Sequence, residues 1–281
     1  MENNNLLIGP EDYAEPRCLL CGDDFGTSDE AIRSIDQRRV AEKLDEYTDR
    51  RDYAGAEHHL LYWLEEAKLG HDLRGEFMLR NELMGFYRKQ NRRDEAFENA
   101  DRALAIIHEL GSEENISSAT CYINSATVYD AFGEAARSIA LFEQAKQIYL
   151  RQLPENDARL GGLYNNMALA LTALRRFGEA YECYRHALDV MSRADHGALE
   201  QAITYLNMAN AVEDEHGLEK AAEKIDQYLG IAENLLNDTS LVRNGYYAFV
   251  CEKCAPTFDY YGWFVLAADL KERAEKIYAG A

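Results

Sequence analysis

Residues 166–187 read NMALALTALRRFGEAYECYRHA, and this stretch decides the architecture. Ala168 and Leu171 lie three apart, a polar turn follows around Arg175 and Arg176, and then Ala180, Tyr184 and Ala187 lie four and three apart. Apolar residues three and four apart share one face of a helix. The stretch therefore reads as the end of one helix, a short turn and the start of a second. Working outward, Ala54, Ala96, Ser138, Ala180 and Ala221 repeat the small residue at intervals of 42, 42, 42 and 41. Four residues after the last four stand Ala100, Phe142, Tyr184 and Ile225, and three further on stand Ala103, Ala145, Ala187 and Tyr228. Twelve residues before the same four stand Met84, Ala126, Ala168 and Ala209, followed three later by Tyr87, Tyr129, Leu171 and Val212. A fixed period of this length is the mark of an array in which each helix pair buries its apolar stripe only by stacking on the next. Small residues belong where the helices cross, because short side chains permit close approach.

Two helices per unit with this comb resemble the tetratricopeptide repeat, most closely over Asn166 to Ala187. The period near 42 is similar to the long-helix variety found in kinesin light chains and many bacterial members. The resemblance implies an all-α fold, a right-handed solenoid of helix-turn-helix units with a concave face. It covers residues 30–240 well. Beyond them a regular comb would place a tooth near Trp263, whereas the best-fitting triplet is Ala267, Lys271 and Ala274. The expected organisation is an extended arm over 1–28, a solenoid of about five helix pairs over 29–240, and an aromatic-rich helix pair capping it over 241–281.

Composition narrows the functional classes. Hydrophobic residues make up 47% of the 281 and charged residues 28%, which suits one large cooperative domain. Four prolines and the lack of a Gly/Ser/Pro-rich stretch after the first thirty residues leave no place for a linker. No run of eighteen apolar residues exists, and Met1 to Pro10 lacks a basic region followed by a cleavable apolar segment. A cytoplasmic location is the expectation. The net charge of -20 opposes nucleic-acid backbones and anionic membranes, which are bound through clustered lysine and arginine. The best basic cluster, Arg88, Lys89, Arg92 and Arg93, reads as solvated residues around a turn.

Of the six cysteines, Cys121 and Cys183 sit in helical, partly apolar stretches and read as small buried hydrophobes. The others form two Cys-x-x-Cys pairs, Cys18 with Cys21 and Cys251 with Cys254. Four thiolates so arranged would satisfy a tetrahedral zinc ion. The pairs stand about 230 residues apart, however, and the second is expected on a helix, where burial is the simpler account. The expectation is no cofactor, with zinc at Cys18 and Cys21 as the alternative. There is no Gly-rich phosphate loop, no His-Glu-x-x-His and no Gly-x-Ser-x-Gly, so nothing positive points to an enzyme.

A second recurrence lies on the first helices: Asn124, Asn166 and Asn207, spaced by 42 and 41, with Glu82 in the equivalent place before them. Asparagine is a poor helix-interior residue, so its repetition needs a reason. Its amide complements a peptide group, and similar asparagine ladders occur in peptide-binding members of the family. Bonds between neighbouring helices would explain the ladder equally well. The peptide-binding set expected in the groove is Arg88, Asn124, Thr127, Asp130, Asn166, Asn207, Asn210 and Asp214. Family members that clamp a terminal carboxylate use lysine or arginine where this chain has Thr120, Gly162 and Ile203, which argues against that activity.

Eight aromatics crowd residues 246–264, and Pro256 and Gly262 are expected to break the helical pattern there. An irregular cap over its own aromatics is one reading. The other is a partner or homodimer contact through Tyr260, Tyr261, Trp263 and Phe264. His58, His59, Tyr62 and Trp63 read as packing and surface. Three functions follow: a non-enzymatic adaptor holding a peptide segment of a protein partner, a peptide-sensing regulator, or a zinc-stabilised assembly protein. The first is the reading adopted.

Overall fold

The computed structural model describes residues 32–194 and 197–280; the arm expected at 1–28, with Cys18 and Cys21, lies outside them. Among the described residues every regular element is an α-helix. The helices are α1 (Gln37–Asp49), α2 (Tyr53–Leu69), α3 (Leu73–Lys89), α4 (Arg93–Glu109), α5 (Ile116–Ala131) and α6 (Ala135–Gln152), then α7 (Ala158–Ala173), α8 (Phe177–Arg193), α9 (Ala198–His216), α10 (Leu218–Leu236), α11 (Gly245–Tyr260) and α12 (Phe264–Tyr278). The all-α class holds. Where the sequence offers no linker, these helices nevertheless group into two compact units, one ending at Gln152 and one resuming at Leu153.

Within the first unit α1 packs on α2, α3 on α4 and α5 on α6, with α2 against α3, α4 against α5 and α3 against α5. Within the second, α7 packs on α8, α9 on α10 and α11 on α12, with α8 against α9, α7 against α9 and α9 against α11. Each unit is thus a stack of helix pairs. Side-chain caps define several starts: Asp52 accepts from the Gly55 N–H and Asp72 from the Gly75 N–H, both at 2.9 Å, which satisfies donors that a helix N-terminus leaves open.

Inside each pair the chain turns through one residue in the left-handed region: Arg51 (φ 54°), Asn91 (56°), Gly133 (85°), Arg175 (59°), Gly217 (80°) and Gly262 (85°). Glycine adopts this conformation freely, whereas other L-residues lose about 1–2 kcal/mol in it. Arg51→Gly is therefore expected to stabilise the first unit by about 0.5–1 kcal/mol, the strain relief less the extra chain entropy of glycine. The midpoint of urea unfolding checks this, with Gly133→Ala shifting it the other way.

The comb is built as the sequence implies, with one correction. The fourth residue of each second helix is a buried small residue: Ala56, Ala96, Ser138, Ala180, Ala221 and Ala267. The first tooth is thus Ala56, and Ala54 is exposed. The first pair is two residues short of the period, as the turn positions Arg51 and Asn91 also show. At the other end the longer connection 237–244 moves the last tooth to Ala267. Four residues beyond each tooth, Leu60, Ala100, Phe142, Tyr184 and Ile225 are buried, but Lys271 of α12 is exposed. A polar residue there closes the apolar stack, as terminal repeats require.

Pro256 does not break the chain; it lies inside α11. The backbone bond it forgoes belongs to the carbonyl of Glu252, an exposed residue, where water replaces the missing N–H. The aromatics of this region divide. Tyr247, Phe249 and Phe258 are buried, while Tyr260 and Phe264 are exposed.

Candidate functional site

The first helices of the pairs carry the expected asparagines, and the structure pairs them. Asn124 of α5 donates from Nδ2 to Asn81 Oδ1 of α3 at 3.4 Å. Asn207 of α9 donates to Asn165 Oδ1 of α7 at 3.2 Å. The register is the same in both units: the residue two before the small helix-crossing position meets the one three before it in the preceding repeat. Asn166 has the register of Asn124 and Asn207, and its Nδ2 atom is buried with no hydrogen-bond partner. Asn124 and Asn207 are half-buried, and each spends one of the four hydrogen bonds an asparagine side chain can make.

The other members of the expected set scatter. Thr127 returns its hydroxyl to the Ile123 carbonyl at 2.9 Å, an ordinary way for threonine to satisfy itself in a helix. Asp130 is half-buried, its Oδ1 unpartnered, and burial pushes its carboxyl up to about 6. Arg88 is buried within α3 and is not a solvated turn residue. Nor do its neighbours form a free basic patch, since Arg92 bonds Glu57 at 2.6 Å and Arg93 bonds Glu134 at 3.1 Å. Asp214 is exposed, and its backbone carbonyl accepts from Arg175 at 3.3 Å. Asn210 is exposed with its Oδ1 3.0 Å from the Tyr261 hydroxyl.

The last contact alters the reading of the aromatic end. The Tyr261 hydroxyl also lies 2.7 Å from Glu213 Oε2, and Tyr260 donates to Glu213 Oε1 at 2.8 Å. Burial, with the Glu213 carboxylate, holds the Tyr261 hydroxyl well above the usual range. Trp263 packs at 5.8 Å against Phe258. Of the four residues expected to meet a partner, Phe264 is exposed without such a polar tie, and Tyr260 keeps an exposed ring.

Tyrosine–carboxylate contacts recur at every junction between successive pairs inside a unit. Tyr87 donates to Glu57 at 3.1 Å, Tyr129 to Asp101 at 2.6 Å and Tyr181 to Glu215 at 2.8 Å. In the first two an arginine completes the group: Arg92 lies 4.4 Å from the Tyr87 ring centre, and Arg137 lies 3.8 Å from that of Tyr129. Burial and Glu57 push Tyr87 up to about 12, so it stays a proton donor at any physiological pH. These contacts hold the first helices in register.

Residues 77–151, from within α3 to the end of α6, match the family defined by the tetratricopeptide repeat. That stretch is similar to a tetratricopeptide repeat array. No curated protein matches the chain in sequence. Similar solved structures include one from Podosopora anserina, described as a putative kinesin light chain with nearly identical tetratricopeptide-like repeats. It is 20% identical, with a TM-score of 0.47 over 72% of this chain and 94% of that one. A substituted form of the same protein gives 20%, 0.48, 72% and 93%. BtubC (BKLC) of P. vanneervenii gives 19%, 0.46, 86% and 89%.

On either side of the matched repeats the same turn and the same buried small residue continue, from Arg51 to Ala267. No described helix is long and apolar enough to cross a membrane. Among the described residues no group of three or more histidine, cysteine or acidic side chains could hold a metal. Cys251 and Cys254 are buried, and burial pushes both thiols up. Sequence reasoning missed the tyrosine–carboxylate contacts and the partners Asn81 and Asn165. The recurrence of Tyr87 and Tyr129 was a signal for the former.

Proposed function

We propose that this chain is a non-catalytic adaptor that holds an extended segment of a partner protein along the first helices of its repeats. The observation that carries this reading is the asparagine pair repeated in one register in both units, Asn81 with Asn124 and Asn165 with Asn207. Each bridging amide is half-exposed and keeps donor and acceptor capacity beyond its bond to the neighbour, which suits backbone recognition with little demand on side-chain identity. The tetratricopeptide match at 77–151 supports the same class, by analogy of fold.

The test compares the full chain with the variant Asn124→Ala, Asn166→Ala, Asn207→Ala as bait for a partner from the source cell, followed by binding of that partner's mapped peptide. The expected result is at least a tenfold weaker peptide complex, about 1.4 kcal/mol, in a variant that keeps its helix content. Equal affinity would overturn groove recognition and leave the asparagines as ties between helices.

A further inference from the structure

We propose, resting on the adaptor function above, that Glu213 of α9 with Tyr260 and Tyr261 at the end of α11 forms a docking point for a basic side chain of the partner protein's segment, arginine before lysine. Asn207 bonds Asn165, one place earlier in the register of the preceding repeat, and Tyr260 stands to Glu213 in that same offset. Counted from the buried residues twelve before each tooth, Ala209 and Ala255, Tyr260 lies seven places beyond the level of Asn207. Seven residues are about two helical turns, so both ties lie on one face of the first helices in the second unit.

The charge at this point differs from that at the other tyrosine–carboxylate contacts. In the first unit each carboxylate has its own cation: Arg92 bonds Glu57 and lies over the Tyr87 ring, and Arg137 bonds Asp101 and lies over that of Tyr129. Glu215, which accepts from Tyr181, has His216 at 3.4 Å. Among the described residues no lysine, arginine or histidine pairs with Glu213. Arg175 comes to this end of α9, but it donates to the Asp214 carbonyl and its guanidinium lies 5.1 Å from the Phe177 ring centre. The Glu213 hydrogen bond raises the Tyr260 hydroxyl and burial raises that of Tyr261; the charges of Glu213 and Asp214 add to both, and no cation acts against them.

Glu213 retains the capacity for a further partner. A carboxylate offers about four lone-pair sites, and the tyrosines take one on each oxygen, which leaves room for the two-pronged bond of a guanidinium. The Tyr260 ring is 67% exposed, and a cation within about 6 Å of such a ring is attracted to its face. Packing does not explain that ring, because its place in the other first helices is held by Asp49, Lys89, Ala131, Ala173 and Asp214. Just past the turn, Val265 is 88% exposed where the other second helices have Ala54, Asp94, Ala136, Gly178 and Glu219. An exposed aromatic and apolar surface edged by carboxylate without a cation fits a positively charged partner.

The probe is acetyl-tetra-arginine amide, titrated calorimetrically into the full chain at about 150 mM salt, where attraction to distant charges is screened. Glu213→Gln and Tyr260→Ala, made singly, are each expected to weaken binding at least fivefold. Glu219→Gln removes the same charge from an exposed place on α10 and is expected to stay within twofold of wild type. Tyr260→Ala trims a ring that is mostly in solvent, so its helix content should not change. Absence of binding to wild type, wild-type affinity in Glu213→Gln, or equal loss in Glu213→Gln and Glu219→Gln would overturn the proposal. The variant Asn124→Ala, Asn166→Ala, Asn207→Ala is expected to keep its affinity for tetra-arginine while losing the partner's peptide, so failure of the asparagine contacts and failure of this docking point appear in different proteins. Loss of tetra-arginine from that variant would place the cation elsewhere and would also overturn the proposal.

Discussion

Replacing Glu76 with alanine is expected to destabilise the first unit by about 3–5 kcal/mol, because it strands buried arginine charge. Glu76 and Arg80 are both buried in α3. Arg102 reaches over from α4, its Nε 3.0 Å from Glu76 Oε1 and its Nη2 3.2 Å from Oε2. Arg80 lies 3.4 Å from the same carboxylate and donates to Asn99 Oδ1 at 3.0 Å, while Glu109 also pairs with Arg102. Burial alone would raise the Glu76 carboxyl, but the Arg102 hydrogen bond and the charges of Arg102 and Arg80 hold it below the usual carboxylate range. A depressed folded-state value contributes stability that is fully present above the ordinary glutamate range and is lost as pH falls through the folded value. Wild type should therefore lose stability through that acid window more steeply than Glu76→Gln. Urea unfolding of both proteins between neutral pH and about pH 3, spanning the ordinary glutamate value, measures this. Parallel curves would show that the buried carboxylate is not the group responsible.

Phe142→Ala is expected to cost a similar amount, about 3–5 kcal/mol, through lost burial and the cavity left behind. Phe142 is fully buried, four residues after the Ser138 tooth of α6. The same position takes Ala100, Tyr184 and Ile225 in other repeats, so each repeat has matched its neighbours to one volume and cannot borrow the solution of the next. Phe142→Leu should recover most of the loss, because it keeps most of the volume. Thermal unfolding with hydrogen exchange along α5 and α6 checks both. A Phe142→Ala protein as stable as wild type would mean that the column is set by the backbone and not by packing.

How much of this was legible depends on where each partner sits in the sequence. The small residues at Ala96, Ser138, Ala180 and Ala221 were readable because helix crossing imposes the same demand in every repeat. The first tooth was hidden because Ala54 and Ala56 are both alanine and Arg51, in a left-handed turn, gives no glycine to mark the boundary. The asparagine recurrence was visible, but its partners were not, since the bond joins positions offset by one within the repeat. The tyrosines Tyr87 and Tyr129 recur in the sequence, but their carboxylate partners were not readable, for a plainer reason. The tyrosine–carboxylate contacts span 30, 28, 34 and 48 residues, so no single spacing reveals them. Division into two units left only a slight trace in composition, because Pro154 alone, with no glycine beside it, marks the passage from Gln152 to Leu153.

The left-handed turn residues carry a consequence for how such a chain changes length. Asn91 and Gly133 are 42 residues apart, one repeat, each five residues before a buried small residue and each at positive φ. A deletion from one to the other would rejoin the entry of one second helix to the exit of an equivalent first helix without creating a new kind of corner. Shortening or lengthening by whole repeats thus requires no invention of local geometry, whereas the loss of a few residues within a helix shifts every tooth after it. Length in this architecture is inherited in steps, and those corners are where the steps can be cut.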